Sequence, residues 1–534
     1  MKGRFDAMVR SRNQEIIITC VFDFNIEIMG GTAWLETGGK CMAKSVKINA
    51  ILNVTLSASS MLVSVITIPY VTRALSVSGY GDVNFAQSIS SWLNAFCVAG
   101  IPTYGIRECA KVRDDKEQLA TLVRELLRII TICTVVVLGL FAIAILVVPR
   151  LAKIAPLMWM FLVSTLLQSY GVEWYFQALE DYRYITIRSI IFKIISLIAI
   201  FLFVRHSGDY IIYGGILALV TCGNNVFNII RLRKEIGSSG KGALCLTRHV
   251  KALESFALLN IASAVYLSFD TTLLGFCSPD NSQVALYQLA SKIKNAVFAA
   301  VLAVINTLVS RLSYYFAKEQ QQYYLLLKRA TLILVETNLG VACFLAVFAK
   351  EISILVSSEK YINAAMPLRI VAFAGFLSSI NAIIGFCILT PMGREKRLAI
   401  ANTVGVPVSL VLNLALDWSW GAVGAAVAVL VSEGCIFIVQ FASSIDVFHS
   451  LNIGKDIMKS LLCNLVPMLL SIFCEGALPV NISGSSEMSS FIVICVGLLV
   501  YLLTWLLVSS VTKSAVFCYV KNIIANVYRR ISGK

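Results

Sequence analysis

Charged side chains stand in pairs inside segments otherwise apolar enough to cross a membrane. Glu173 lies near the end of one such segment, a short charged turn follows (Glu180, Asp181, Arg183), and Lys193 lies inside the next. Counted from Tyr182, Glu173 is nine residues back and Lys193 eleven on. An antiparallel helical hairpin therefore puts the carboxylate and the amine at similar depth, where they could meet. Asp270, Lys292 and Lys294 make a second such hairpin around a turn near Asp280. Ionisable groups inside a bilayer are costly and mark ion or substrate paths. The chemistry open to them is ion pairing, proton exchange and neutralisation of an anion. The first pair reads equally as functional and as an ion pair that fixes helix register. In the second, one carboxylate cannot neutralise two amines. The surplus positive charge must face water or an anion, which favours a ligand role. Arg369, near the end of its segment, reads as an anion-binding group or an interfacial anchor, and Arg107 ends its segment at the membrane surface. Glu336 and Glu433 read as snorkelling groups or polar helix contacts.

The elements that position these groups are membrane helices. Of the 534 residues, 58% are hydrophobic and 14% charged, against about 25% charged in soluble domains. Apolar runs of membrane-spanning length recur along the chain. They predict an all-α polytopic membrane protein with fourteen spans, near 48–71, 83–104, 127–148, 155–179, 185–204, 210–230, 255–277, 284–310, 329–349, 364–391, 397–416, 420–441, 458–476 and 489–510. The connections alternate in charge. One set holds Arg107 to Arg128, Arg183 and Arg188, Arg231 to Lys251, Arg311 to Arg329, Arg394 to Arg397, Lys455 and Lys459, and the tail from Lys513. The other holds only Arg73, Arg150, Lys153, Arg205, Lys350 and Lys360. The positive-inside rule puts the first set and both termini in the cytoplasm.

The outer loops are too short to house a soluble domain. The expected organisation is an N-terminal extension (1–43), a first lobe of six spans (44–230), a basic cytoplasmic linker (231–254), a second lobe (255–441), two further spans (442–510) and a basic, amphipathic tail (511–534). Met42 is a candidate true start, with a disordered cytoplasmic tail as the alternative reading of the residues before it. Val83 to Ser90 against Val284 to Ser291, and Asp209 to Gly215 against Asp417 to Gly424, are similar pairs six spans apart. Six being even, a repeat would relate the lobes about an axis along the membrane normal.

Other classes fit poorly. The net charge of +15 is explained by the topology of the loops and gives no case for nucleic acid. Fifteen scattered Cys and three distant His give neither a disulfide framework nor a metal site. Gly237 to Gly242 fails the phosphate-loop spacing, and no hydrolase or metalloprotease signature appears. An enzyme is not expected. Asp114-Asp115 reads as a solvated helix face.

Several stretches resemble the polysaccharide (O-antigen type) flippases of the multidrug/oligosaccharidyl-lipid/polysaccharide exporter superfamily. They are Gly79-Tyr80-Gly81, Tyr104 to Glu108, Phe176-Gln177-Ala178-Leu179-Glu180, Pro279 to Tyr287 with Lys292, Leu389 to Lys396, and Gly421 to Ala426. Their order and spacing cover residues 44–510. The resemblance implies two six-helix lobes in a V with two peripheral helices, and an inner-membrane transporter. Its substrate would be an oligosaccharide on undecaprenyl pyrophosphate, moved to the outer leaflet for O-antigen or capsule synthesis. It also implies membrane lipids and the polymerase and glycosyltransferases of the same route as partners, and coupling to H+ or Na+ rather than a cofactor. Lys292, Lys294, Asp270, Arg369 and Arg107 are then the candidate substrate or anion-binding groups. Glu173, Lys193 and Gln177 are the candidates for a gate or for coupling. A cation-coupled multidrug exporter of the same superfamily is the alternative, and a membrane polymerase or acyltransferase the third reading.

Overall fold

The computed structural model describes residues 39–237, 245–477 and 486–521. Most of the N-terminal extension, the glycine-serine part of the expected linker and the end of the basic tail lie outside the described residues. Among the described residues there is no strand.

The first half holds α1 (Gly39–Ala74), α2 (Val77–Val98), α3 (Ile101–Lys111), α4 (Lys116–Val147), α5 (Pro149–Ala152), α6 (Ala155–Ser169), α7 (Glu173–Ala178), α8 (Tyr182–Phe203) and α9 (Tyr210–Ile236). The second holds α10 (Thr247–Cys277), α11 (Ser282–Lys318), α12 (Gln320–Val347), α13 (Ala349–Val356), α14 (Ala365–Ala382), α15 (Glu395–Trp420), α16 (Ala422–Ser443) and α17 (Ile445–Leu451). A 3-10 turn, Glu359–Ala364, leads into α14, and a π-helical segment, Ile383–Leu389, continues it. The last two long helices are α18 (Gly454–Ala477) and α19 (Ser486–Thr512).

Local chemistry sets several of these boundaries. Ser76 caps α2 by accepting from the Gly79 N–H, and Asp115 caps α4 by accepting from the Glu117 and Gln118 N–H groups. Asp115 is thus a helix cap. Between α2 and α3 the chain turns through Ala99 (φ 44°) and Gly100 (φ 75°). A Cβ on Gly100 would stand 2.4 Å from the Phe256 carbonyl carbon of α10, so glycine alone lets these backbones approach.

Thirteen helices among the described residues are long and apolar enough to cross a membrane. The span expected at 83–104 is missing from that set. Its helix, α2, carries Asn84, Ser88 and Ser90, which are buried by protein and not by lipid. It packs on α4, α6 and α9 of the first half and on α10 and α11 of the second. A helix enclosed by other helices can be polar on several faces. The helices flanking the expected linker also run further than predicted, α9 to Ile236 and α10 from Thr247, leaving a shorter connection.

Lipid offers helices no hydrophobic reason to associate, so close packing and polar contacts must hold them. On the side away from the basic connections, one core joins both halves. It contains Tyr80, Val83 and Phe85 of α2, Leu274 of α10, Val284 and Leu289 of α11, and Leu368 of α14. A Cβ on Gly275 would fall 2.1 Å from the Phe85 ring, and Ser88 and Thr272 share a hydrogen bond of 2.9 Å. On the basic side the core divides. One cluster holds Ile101, Val123, Phe176 and Leu232, the other Ile305, Leu312, Leu327 and Ile388. Only the start of α10, through Leu253, joins the first of these. α18 and α19 pack on each other and against α12 and α13.

Candidate functional site

Lys292 reaches across from α11 to α2. Its amine donates to the Tyr80 hydroxyl at 2.9 Å and to Asn84 Oδ1 at 2.8 Å. It also lies 5.0 Å from the centroid of the Tyr80 ring. All these partners are neutral, so no carboxylate offsets its charge. Lys292 does not pair with Asp270, contrary to the hairpin reading. Lys294 does not pair with it either. Two residues apart on a helix, the lysines point to nearly opposite faces. The Lys294 stem packs against Gly375 of α14, and no hydrogen bond or ion pair holds its amine among the described residues.

Asp270 has other partners. Oδ1 accepts from Ser409 Oγ at 2.8 Å and from Asn413 Nδ2 at 2.9 Å, both on α15, and Oδ2 from the Tyr287 hydroxyl at 3.5 Å. One turn beyond Asn413 stands Asp417, which is 1% exposed with neither carboxylate oxygen hydrogen-bonded; Asn413 Oδ1 also lacks a partner. Ser409, Asn413 and Asp417 recur every four residues on one face of an otherwise apolar helix, and that signal was present in the sequence. Acceptor oxygens without donors could hold a proton or a small cation between α10 and α15. Among the described residues no group of three or more His, Cys, Asp or Glu is placed to hold a metal ion.

In the first half, Glu173 pairs with Arg188 at 3.2 Å and accepts from Gln177 at 3.3 Å; it does not pair with Lys193. The sequence placed Arg188 in a connection. The hairpin count assumed one straight helix before the turn, but the helix breaks after Ser169 and restarts at Glu173, with Val172 at φ 43°. Lys193 instead donates to α1, at the Leu56 carbonyl (3.1 Å), Ser59 Oγ (2.9 Å) and Ser60 Oγ (2.6 Å). Glu173, Gln177 and Lys193 nonetheless line one cavity of about 430 Å³ within the first half.

Arg369 is exposed on the same stripe of helix as Ile362 and Met366, which fits the interfacial reading. Arg107 pairs with Glu108 at 2.8 Å and lies over the Tyr104 and Phe256 rings, at 5.5 and 5.1 Å. Burial pushes the Glu108 carboxyl up, but hydrogen bonds from Lys111 and Arg107 outweigh it and hold the group below its ordinary range. Glu336 is fully buried and accepts from Ser460 Oγ and from the Val516 N–H; Glu433 accepts from Tyr266 and Asn381. Both are polar helix contacts.

A second contact between the halves, on the basic side, was not foreseen. Buried His249 of α10 joins the Tyr104 hydroxyl at 2.8 Å to Glu125 Oε2 at 2.9 Å. Arg248 also bonds Glu125, whose other oxygen accepts from the Cys245 N–H at 2.7 Å. Glu125 and His249 lie 124 positions apart, and no periodicity in the sequence connects them.

Residues 46–310 match the family described as polysaccharide biosynthesis protein. The resemblance to the O-antigen-type exporters holds. The chain is 24% identical to the "Putative O-antigen transporter" of Escherichia coli (strain K12) over 73% of its length and 94% of the relative's. It is 24% identical to the protein of the same name from Shigella dysenteriae, over 74% and 98%. Among solved structures it resembles "Lipid II flippase MurJ, inward closed conformation", with a TM-score of 0.61 and 13% identity over 86% of this chain and 98% of that one. That likeness concerns the fold. With thirteen helices among the described residues long and apolar enough to cross a membrane, the chain is a multi-pass membrane protein.

Proposed function

We propose that the chain flips a polyprenyl-pyrophosphate-linked oligosaccharide repeat unit, undecaprenyl-linked in bacteria, from the cytoplasmic to the outer leaflet of the inner membrane for surface polysaccharide synthesis. The names of its relatives support polysaccharide export. The observation that carries the direction is the divided core: the halves share packing on the far side and keep separate cores on the basic side. Read by the positive-inside rule, the basic side is cytoplasmic and so are both termini. The arrangement then accepts a head group from the cytoplasm. A sugar chain with a pyrophosphate cannot cross lipid unaided and needs an enclosed polar path. Lys292, charged and held by neutral oxygens alone, is the group best placed to meet the phosphates. Two six-helix lobes rock about the connection between α9 and α10 to expose each side in turn. Asp270 and Asp417 take the coupling proton or cation.

A deletion strain tests this reading. It should lack surface polysaccharide and accumulate lipid-linked single repeat units on the cytoplasmic leaflet, and the wild-type gene should reverse both. Units accumulating on the outer leaflet would assign the block to polymerisation and sink the proposal.

A further inference from the structure

The cavity of about 430 Å³ in the first half has a lining that neither ion coupling nor a gate accounts for. Four primary amides face it: Asn94 of α2, Gln168 at the end of α6, and Asn224 and Asn225 of α9. None of their side chains is hydrogen-bonded within the described chain, and Asn94 Oδ1 and Asn224 Oδ1 are fully buried. Buried polar atoms are nearly always satisfied, so so many unspent donors and acceptors around one space point to a polar occupant. The helix break enlarges the space. Residues 170–172 leave the helical path, Asn228 Nδ2 caps the Gly171 carbonyl, and a Cβ on Gly171 would collide with Asn225 Oδ1 at 2.5 Å.

The lining selects among occupants. A lipid tail would leave the amides unsatisfied. A metal cation would find the Glu173 carboxylate already engaged by Arg188 and Gln177, and Lys193 repelling it. Hydroxyls both donate and accept, which is what unspent amides require, and Phe192 and Pro102 offer apolar walls to the C–H face of a ring. The volume falls within the range of about 300–1,000 Å³ usual for small-ligand pockets. The charges do not cancel. Glu173 and Arg188 offset each other, whereas Lys193 has only neutral partners on α1.

We propose that this cavity binds one sugar of the oligosaccharide head group, and that Lys193 gives it a preference for a sugar bearing a carboxylate. This rests on the flippase reading and adds to it a recognition site, separate from Lys292, that reads sugar identity.

The test uses the purified full chain in nanodiscs and saturation-transfer NMR with methyl hexosides, methyl N-acetylhexosaminides and methyl hexuronides. Wild type should give transfer to at least one glycoside, strongest for the hexuronide. Asn94→Leu/Asn224→Leu should cut it at least fivefold. Lys193→Gln, the gentler change, should remove the hexuronide preference and keep the neutral signal. In the deletion strain, the double variant should reduce surface polysaccharide at least tenfold. Equal transfer to wild type and double variant, no transfer to any glycoside, or full export by a double variant would overturn the pocket while leaving the flippase reading intact. Failure of the wild-type gene to restore polysaccharide would instead sink that reading.

Discussion

Lys292 donates to the Tyr80 hydroxyl at 2.9 Å across the boundary between the two halves, with no acidic partner. Removing a charge held by neutral oxygens alone leaves no opposing charge stranded, so Lys292→Met should fold and reach the membrane near wild-type levels. If the amine meets phosphate, export in the deletion strain should fall at least tenfold. Tyr80→Phe removes one hydrogen bond, a loss of about 1 kcal/mol, and should lower export only a few-fold. Quantitative surface-polysaccharide blotting checks both, and wild-type export by Lys292→Met refutes the anion role.

The Glu173–Arg188 pair is asymmetric: the Arg188 side chain is 5% exposed and that of Glu173 40%. Truncating the exposed partner strands the buried one, so Glu173→Ala should destabilise by about 2 kcal/mol. Arg188→Met, which leaves a half-solvated carboxylate, should cost less. A double-mutant cycle on thermal unfolding should give a coupling of about 1 kcal/mol or more. A cycle between Glu173 and Lys193 should give less than that between Glu173 and Arg188, and the reverse order would restore the hairpin pairing.

Gly275 sets how closely the halves approach away from the basic side. A methyl group there meets the Phe85 ring at 2.1 Å, and overpacking typically costs about 1–3 kcal/mol. Gly275→Val should loosen that closure, seen as faster hydrogen exchange in residues 77–90 and 271–290. Phe85→Ala in the same chain should partly restore protection. Unchanged exchange in Gly275→Val would contradict the shared core.

Membrane class and most span positions were legible because length and hydropathy depend on local sequence alone. α2 fell short of the apolar expectation because its neighbours, not lipid, cover Asn84, Ser88 and Ser90. The charged hairpins were paired wrongly: Glu173 meets Arg188, and Lys193 and Lys292 meet neutral oxygens. Pairing depends on helix rotation and breaks, and the break at residues 170–172 moved Glu173 toward Arg188. Asp417 was legible in the four-residue recurrence of Ser409, Asn413 and Asp417 on one helix face. The Glu125–His249 contact required the fold itself.

Outside the spans, Arg394 donates to both oxygens of Asp446 at 3.0 and 2.7 Å, and this holds the Asp446 carboxyl below its ordinary range. A carboxylate whose folded pKa is depressed adds stability above its unfolded pKa and loses it as pH falls through the folded value. The pair is partly exposed, so solvent limits it to less than about 1 kcal/mol. Arg394→Gln should lower the melting temperature slightly at neutral pH and make no difference once acid has protonated Asp446 in both proteins. A difference that persists or grows in acid would assign the loss to packing.

Asp417 offers the sharpest test of coupling. Both its oxygens are buried without a donor, and Asn413, one turn away, bonds Asp270. An uncompensated buried carboxylate is expensive, so the site must hold a proton or a cation when the helices close around it. Asp417→Asn keeps the shape and removes that requirement, and it should leave the melting temperature unchanged or higher. Transport should become insensitive to the driving ion. In vesicles loaded with lipid-linked repeat units, wild-type export should respond severalfold to an imposed H+ or Na+ gradient, and Asp417→Asn export should respond to neither. Tyr287→Phe, which touches only the second oxygen of Asp270, should keep the gradient response. A normal gradient response in Asp417→Asn would remove this cluster from the coupling path.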